Sequence, residues 1–238
     1  MPHPLVALAL SMASTLGSAP APAAAEPAVR YEPAGSPGAE QARRLLQDSG
    51  ALRTGIRLPE PVEVVARDCG EPAATWDAGQ RRITICYALV DEVRRTLDGI
   101  STTEEADDRT AERRVEAALA ALYHHQLGHA LATMNGLPAG GEGQADQLAA
   151  LTLAADRPAD AVPAAEARHL LAAGHGGLDH LKGTAESATF GCLLYGADPA
   201  ANAAIAKGGW VPAQRAPSCA AEYERVRAAV GSLVVKGP

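Results

Sequence analysis

The sequence predicts an α+β domain with a small N-terminal β-sheet or hairpin, a central buried helix and a helical C-terminal part. Two runs predict the sheet, because residues 62–65 and 82–86 are rich in β-branched residues. The segment Asp77-Ala78-Gly79-Gln80, just before the second run, has the composition of a turn. The run from about residue 111 to 134 contains no proline and is rich in alanine and leucine, which favours helix.

Short elements precede the central helix. Residues 26–39 are rich in proline, alanine and glycine, so we expect a flexible leader to a folded domain over residues 40–238. Residues 41–46 are predicted to form a short helix that ends near Ser49-Gly50. Residues 89–97 are predicted to form a second helix, after the sheet-forming runs.

The central helix, from about residue 112 to 134, has apolar residues on two faces. The positions on the side of the helix that carries His125 and His129 are Val115, Leu119 and Leu122, and those on the opposite side are Tyr123, Leu127, Leu131 and Met134. A helix that is apolar nearly all round is a buried one, so we expect the two histidines at the floor of a cleft. Four further helices are predicted, over residues 143–154, 164–173, 188–195 and 220–230.

Length, charge and the N-terminal segment limit the functional classes. The 238 residues suit one domain with appendages, and a net charge of −7 leaves no basic stripe for nucleic acid, so no nucleic-acid partner is expected.

Residues 5–16 form an apolar run too short to span a bilayer, and the small residues Ala23-Ala24-Ala25 precede Glu26. This pattern predicts a signal peptide over residues 1–25 and a mature protein that is secreted, extracellular or periplasmic, without a membrane span.

Four cysteines in an exported chain predict two disulfides, for which three connectivities are possible. Cys69 and Cys86 flank the predicted hairpin and are therefore the natural first pair, which leaves Cys192 with Cys219 between the last two helices. A zinc site built from cysteines is the alternative, but no Cys-x-x-Cys spacing supports it.

The candidate site lies on the central helix and the helix that follows it. His125 and His129 are four residues apart, so both imidazoles project from one helix face and can reach one metal ion. Glu142 and Asp146 repeat this spacing after the breaker segment 135–141. Together they predict three metal ligands and one carboxylate that orients a ligand histidine. The alternative is a pair of hydrogen-bonded core histidines with two ordinary helix acids.

From about residue 40 to 225 the chain resembles the bacterial metallopeptidase family catalogued as domain of unknown function number 4344. The matching stretches are residues 57–59, 68–72, 83–87, 125–131, 137–138, 142 with 145–147, 192–199 and 215 with 219–223. The resemblance covers nearly the whole mature domain. It implies a zincin-like fold of the gluzincin type that hydrolyses peptide bonds, with Zn²⁺ bound by His125, His129 and Glu142. Asp146 would lie behind these ligands and orient one of them.

The chain departs from this family at polar positions near the expected cleft. The family motif His-Glu-x-x-His has Gln126 at the position of the glutamate, which is the general base. An amide can hydrogen-bond a metal-bound water but cannot accept its proton. Ala88 replaces a glutamate, and residues 179–186 lose further polar residues while keeping His180, a candidate oxyanion stabiliser that could equally be a surface histidine.

Three functions agree with these observations. The first is a working peptidase, for which Asp179 or Glu186 would have to replace the base. The second is a non-catalytic module that holds a peptide or protein ligand in the cleft, and the third is a metal-free polar network. The resemblance together with Gln126 favours a zinc-binding, metallopeptidase-like protein that is impaired in catalysis. His124 and His175 are predicted not to be ligands.

Overall fold

Residues 24–100, 108–137, 141–173 and 184–236 are described by the computed structural model. Within these ranges the fold is mixed α/β, as predicted. The strands are β1 (Ala28–Tyr31), β2 (Ile56–Arg57), β3 (Glu63–Arg67), β4 (Ala74–Asp77), β5 (Arg82–Cys86) and β6 (Val235–Lys236). The α-helices are α1 (Pro37–Ser49), α2 (Ala88–Ile100), α3 (Asp108–Met134), α4 (Glu142–Asp156), α5 (Ala161–Ala173), α6 (Thr184–Ala197), α7 (Ala203–Lys207) and α8 (Cys219–Val230).

The main sheet has four strands in the order β1-β3-β5-β4. The two predicted strands correspond to β3 and β5, which pair in parallel and set Val64 beside Ile83, both fully buried. The turn before β5 joins it to β4, an antiparallel partner that the sequence analysis did not predict. In the part of the chain that the structure describes, β4 pairs with β5 and with no other strand. It therefore lies at one edge of the sheet, beside the site described below.

Part of the predicted flexible leader is ordered. Ala28–Tyr31 forms β1 and pairs in parallel with β3, and Ser36 caps α1 by accepting a hydrogen bond from the Ala39 amide at 3.2 Å. The prediction of a leader over residues 26–39 is therefore wrong for these residues. Composition rich in proline and alanine does not reveal that a free strand edge lies nearby, and that edge satisfies the backbone of β1.

The predicted signal peptide, residues 1–25, lies almost wholly outside the described residues. Ala25 forms a β-bridge with Leu58, and the Ala24 carbonyl accepts hydrogen bonds from the Arg57 guanidinium. None of the helices in the described part of the chain is long and apolar enough to cross a membrane. The signal peptide and secretion remain predictions.

Helix α3 is the centre of the helical part, and it packs against α2, α4 and α5. Tyr123, Leu127 and Leu131 on one face are fully buried, and so are Leu119 and Leu122 toward the other. The prediction of a buried helix with two apolar faces is confirmed. Because α3 is closely packed along most of its length, its rotation about its own axis is fixed. That rotation determines the direction in which its histidines project.

Both predicted disulfides are present. Cys69 and Cys86 are bonded at an S–S distance of 2.10 Å and tie the segment before β4 to the end of β5. Cys192 and Cys219 are bonded at 1.97 Å and join α6 to the first residue of α8. Helices α6 and α8 approach each other closely at this disulfide, since a Cβ on Gly196 would lie 2.2 Å from the Cys219 carbonyl oxygen.

We expect replacement of both Cys192 and Cys219 by alanine to lower the free energy of unfolding by about 3 kcal/mol in the chain-entropy model. The bond closes a loop with a sequence separation of 27 residues, so its loss enlarges the unfolded ensemble. Urea denaturation of the double variant and the parent measures the difference. Non-reducing peptide mapping is the control, and free thiols or a Cys69–Cys192 link would contradict the pairing.

Candidate metal centre

Three donor atoms converge where α3 meets the start of α4. The Nε2 atoms of His125 and His129 are 3.1 Å apart. Oε2 of Glu142, the first residue of α4, is 2.9 Å from Nε2 of His125 and 3.6 Å from Nε2 of His129. These three side chains form a group that could hold a metal ion. The helical spacing of the histidines brings their two nitrogens together, and the start of α4 supplies the third donor.

The size and chemistry of this triangle fit a tetrahedral divalent ion. Ligand atoms bound at about 2.0–2.1 Å in tetrahedral geometry lie about 3.3 Å from one another. The observed separations run from 2.9 to 3.6 Å and so bracket that distance. Two imidazole nitrogens and one carboxylate oxygen are also the donor set of open zinc sites, which leave one position free.

His125 is held by carboxylates on both of its ring nitrogens. Nδ1 lies 2.8 Å from Oδ1 of Asp146, which is buried, while Nε2 faces Glu142. Asp146 thus accepts the Nδ1 proton and leaves Nε2 directed at the other two donors. Burial disfavours the charged ring, but the hydrogen bonds to Asp146 and Glu142 outweigh it and raise the pKa of His125. The pKa of His129 is lowered by burial and by the neighbouring His125.

A buried arginine completes this chain of contacts. Nη2 of Arg168, on α5, donates to Oδ2 of Asp146 at 3.2 Å, and both residues are buried. The sequence analysis missed Arg168, because a separation of 22 residues across two helices leaves no local pattern. The signal that could have found it is an arginine in a segment rich in alanine and leucine, since a buried arginine requires an acidic partner.

Close approach of α3 and α4 is what allows the contacts between them. Gly128 lies on α3 between the two histidines, and a Cβ at this position would lie 2.3 Å from the backbone oxygen of Ala145. No side chain fits there without moving α4. Glycine at this position therefore lets the backbone carrying Asp146 approach α3 closely enough for a direct hydrogen bond to His125.

A cavity of about 370 Å³ opens above the three donors. Its floor is α3, and one wall is the edge strand β4 with the residues before it. The lining residues are Pro72, Ala73, Ala74, Thr75, Trp76, His125, Gln126, His129 and Glu142. Glu142 is the only carboxylate among these described lining residues. Gln126 lines the same cavity as the three donors.

The remaining candidates lie elsewhere or outside the described ranges. His124 is fully buried and its Nδ1 is 2.9 Å from the Thr152 hydroxyl, and burial lowers its pKa to about 4. It is not part of the group formed by His125, His129 and Glu142. Glu186 is exposed on α6 and does not line the cavity. Asp179, His180 and His175 lie outside the described residues, so the role predicted for His180 remains untested.

Comparison with known proteins identifies a family. The model of a family described as "Putative metallopeptidase", DUF4344, matches residues 31–233. The matched range begins at the end of β1 and includes both disulfides, the edge strand β4 and the two helices that carry the donor group. No curated protein and no solved structure matches the chain.

Proposed function

The chain belongs to the DUF4344 family, whose model matches residues 31–233, and from this premise we propose that it is a secreted, zincin-like zinc-binding protein impaired in peptide hydrolysis. One observation carries the proposal. The donor atoms of His125, His129 and Glu142 lie within 4.8 Å of one another at the floor of an open cavity. Export is supported by the two disulfides, which form in oxidising compartments, and by the predicted signal peptide.

Each residue of the site has a defined part in this function. His125, His129 and Glu142 would hold the ion, and Asp146 sets the tautomer of His125. A bound zinc ion supplies a Lewis acid that polarises a carbonyl and lowers the pKa of a bound water toward 7.

Gln126 lines the same cavity but cannot accept a proton, and general-base assistance is worth about 10²–10⁴-fold in rate. These residues therefore support zinc binding without efficient peptide hydrolysis.

The ligand we propose is a peptide or a protein segment. Among the described strands β4 is an edge of the sheet, and its residues line the cavity beside the donor atoms. An extended peptide can pair with such an edge by strand addition. The small side chains of Ala73 and Ala74 leave room for it.

We expect the purified protein to bind about one zinc ion per chain, since the site offers one set of three ligands. Replacing His129 by alanine removes a ligand. It should weaken zinc binding by more than the roughly 10–100-fold that loss of an outer partner costs. Elemental analysis and competition with a chromophoric chelator measure stoichiometry and affinity.

The matched control is His169→Ala, which removes an imidazole from α5 outside the donor group and should leave zinc binding unchanged. If the protein purified without chelators holds no zinc and takes up none on reconstitution, the metal-binding proposal is refuted. Equal zinc affinity of the His129→Ala variant and the parent would refute the ligand assignment.

A further inference from the structure

One ring nitrogen of His124 is a buried polar atom without a partner in the described part of the chain. His124 is fully buried on α3, and its Nδ1 lies 2.9 Å from the hydroxyl of Thr152 on α4. Its other nitrogen, Nε2, is buried and makes no hydrogen bond with the described residues. A buried polar atom left unpaired is unfavourable, so such an atom in a native fold points to a bound water, a bound ion or a ligand.

The contacts of Thr152 decide which nitrogen of His124 carries the proton. The hydroxyl of Thr152 has a single proton, which it donates to the Ala149 carbonyl at 3.0 Å. The hydroxyl must therefore accept the hydrogen bond that joins it to the imidazole, so Nδ1 is the protonated nitrogen. In a neutral imidazole with its proton on Nδ1, the other nitrogen is an acceptor. Nε2 of His124 thus requires a donor.

The carboxylate near this nitrogen is a second acceptor. Oδ2 of Asp156, the last residue of α4, lies 4.0 Å from Nε2 of His124, and the Asp156 side chain is only 8% exposed. Two acceptors cannot hydrogen-bond each other, and the distance is too long for a direct bond. A water molecule that donates one proton to each acceptor, over bonds of about 2.8 Å, holds them about 4–4.5 Å apart. The observed separation fits such a bridge, whereas two donor atoms are too few for a metal site.

We propose that His124 and Asp156 bind one internal water molecule between them. The water donates one proton to Nε2 of His124 and the other to Oδ2 of Asp156. The second carboxylate oxygen of Asp156 accepts a hydrogen bond from the Gly55 amide at 3.0 Å. The water therefore joins α3 to the end of α4 and to the segment before β2. It anchors α3 at the residue next to His125, and it does not depend on the zinc binding proposed above.

A crystal structure of the full chain, at a resolution that shows ordered water, tests the site directly. We expect a water within about 2.5–3.2 Å of both Nε2 of His124 and Oδ2 of Asp156. The water should be present in crystals grown with zinc and in crystals grown with a chelator, so the result is separate from that of the metal-binding proposal. A site without a water, or a direct hydrogen bond between His124 Nε2 and a protein group, overturns the inference.

The tautomer of His124 gives an independent test in solution. Long-range proton–nitrogen NMR spectra of the full chain should show the proton of this ring on Nδ1. Thr152→Val removes the hydroxyl that accepts from Nδ1, and should shift the proton toward Nε2 and lower the Tm by about 2–4 °C. The matched variant Thr152→Ser keeps the hydroxyl and should keep the tautomer of the parent. A proton on Nε2 in the parent protein would make that nitrogen a donor and overturn the proposed water bridge.

Discussion

Replacing Gln126 by glutamate is expected to raise metal-dependent peptidase activity by about 10²–10⁴-fold over the parent, the usual contribution of a general base. The substitution exchanges an amide for a carboxylate of nearly the same shape, so the packing of α3 should change little. Gln126 already lines the cavity that contains the three donor atoms, which places the new carboxylate beside those atoms. Initial rates on a fluorogenic peptide library, with zinc and with chelator, measure the gain.

Two controls separate a restored base from other effects. Gln126→Ala removes the amide without supplying a base and should stay at the activity of the parent. The double variant Gln126→Glu/Glu142→Gln weakens the donor group and should lose the gain. If the parent already cleaves peptides at an ordinary enzymatic rate, of order 1–10³ s⁻¹, in a chelator-sensitive way, another residue is the base and the assignment of Gln126 is wrong.

Replacing Arg168 by methionine is expected to lower the free energy of unfolding by about 3–5 kcal/mol, the usual effect of breaking a buried ion pair. The change leaves the buried carboxylate of Asp146 without its guanidinium partner, while methionine keeps most of the packing of the arginine stem. Because Asp146 also orients His125, zinc affinity should fall by roughly 10–100-fold. Chemical denaturation and chelator competition measure the two effects.

Arg114→Met is the matched control, because Arg114 on α3 pairs with Glu166 on α5, the helix that also carries Arg168, but both side chains are partly exposed. An exposed pair of this kind contributes about 0–1 kcal/mol. The double variant Arg168→Met/Asp146→Asn removes the unpaired charge and should recover part of the lost stability. An Arg168→Met protein as stable as the Arg114→Met protein would show that the Asp146–Arg168 pair does not support the site.

Local patterns in the sequence were sufficient to predict much of the secondary structure, the burial of α3 and both disulfides. The spacing of His125 and His129 is a property of one helix, so it predicts a shared face without knowledge of the rest of the fold. The same holds for β3, β5 and the burial of α3, which follow from short runs of apolar residues. The two disulfides followed from pairing cysteines in segments that are close along the chain.

Strands β1, β2, β4 and β6 and helix α7 were not predicted. Strands β1 and β4 show why, because their stability comes from distant partners. Strand β1 lies in a segment whose composition resembles a linker, and it is ordered by the edge of β3 more than 30 residues away. Strand β4 is only four residues long, and it is recognised as a strand only by its pairing with β5 in the structure. Neither has a strong pattern of its own, since the backbone hydrogen bonds of a strand are made with another segment.

By itself, then, the sequence determined which residues could bind a metal and seven of the eight α-helices in the described part of the chain. Only the tertiary structure decided their surroundings. It brought Glu142 within 2.9 Å of His125, set Arg168 behind Asp146 and made β4 a wall of the cavity. The physical reason is that helical spacing is set within a few residues of chain, whereas burial, ion pairing and cavity shape depend on close packing between segments far apart in sequence.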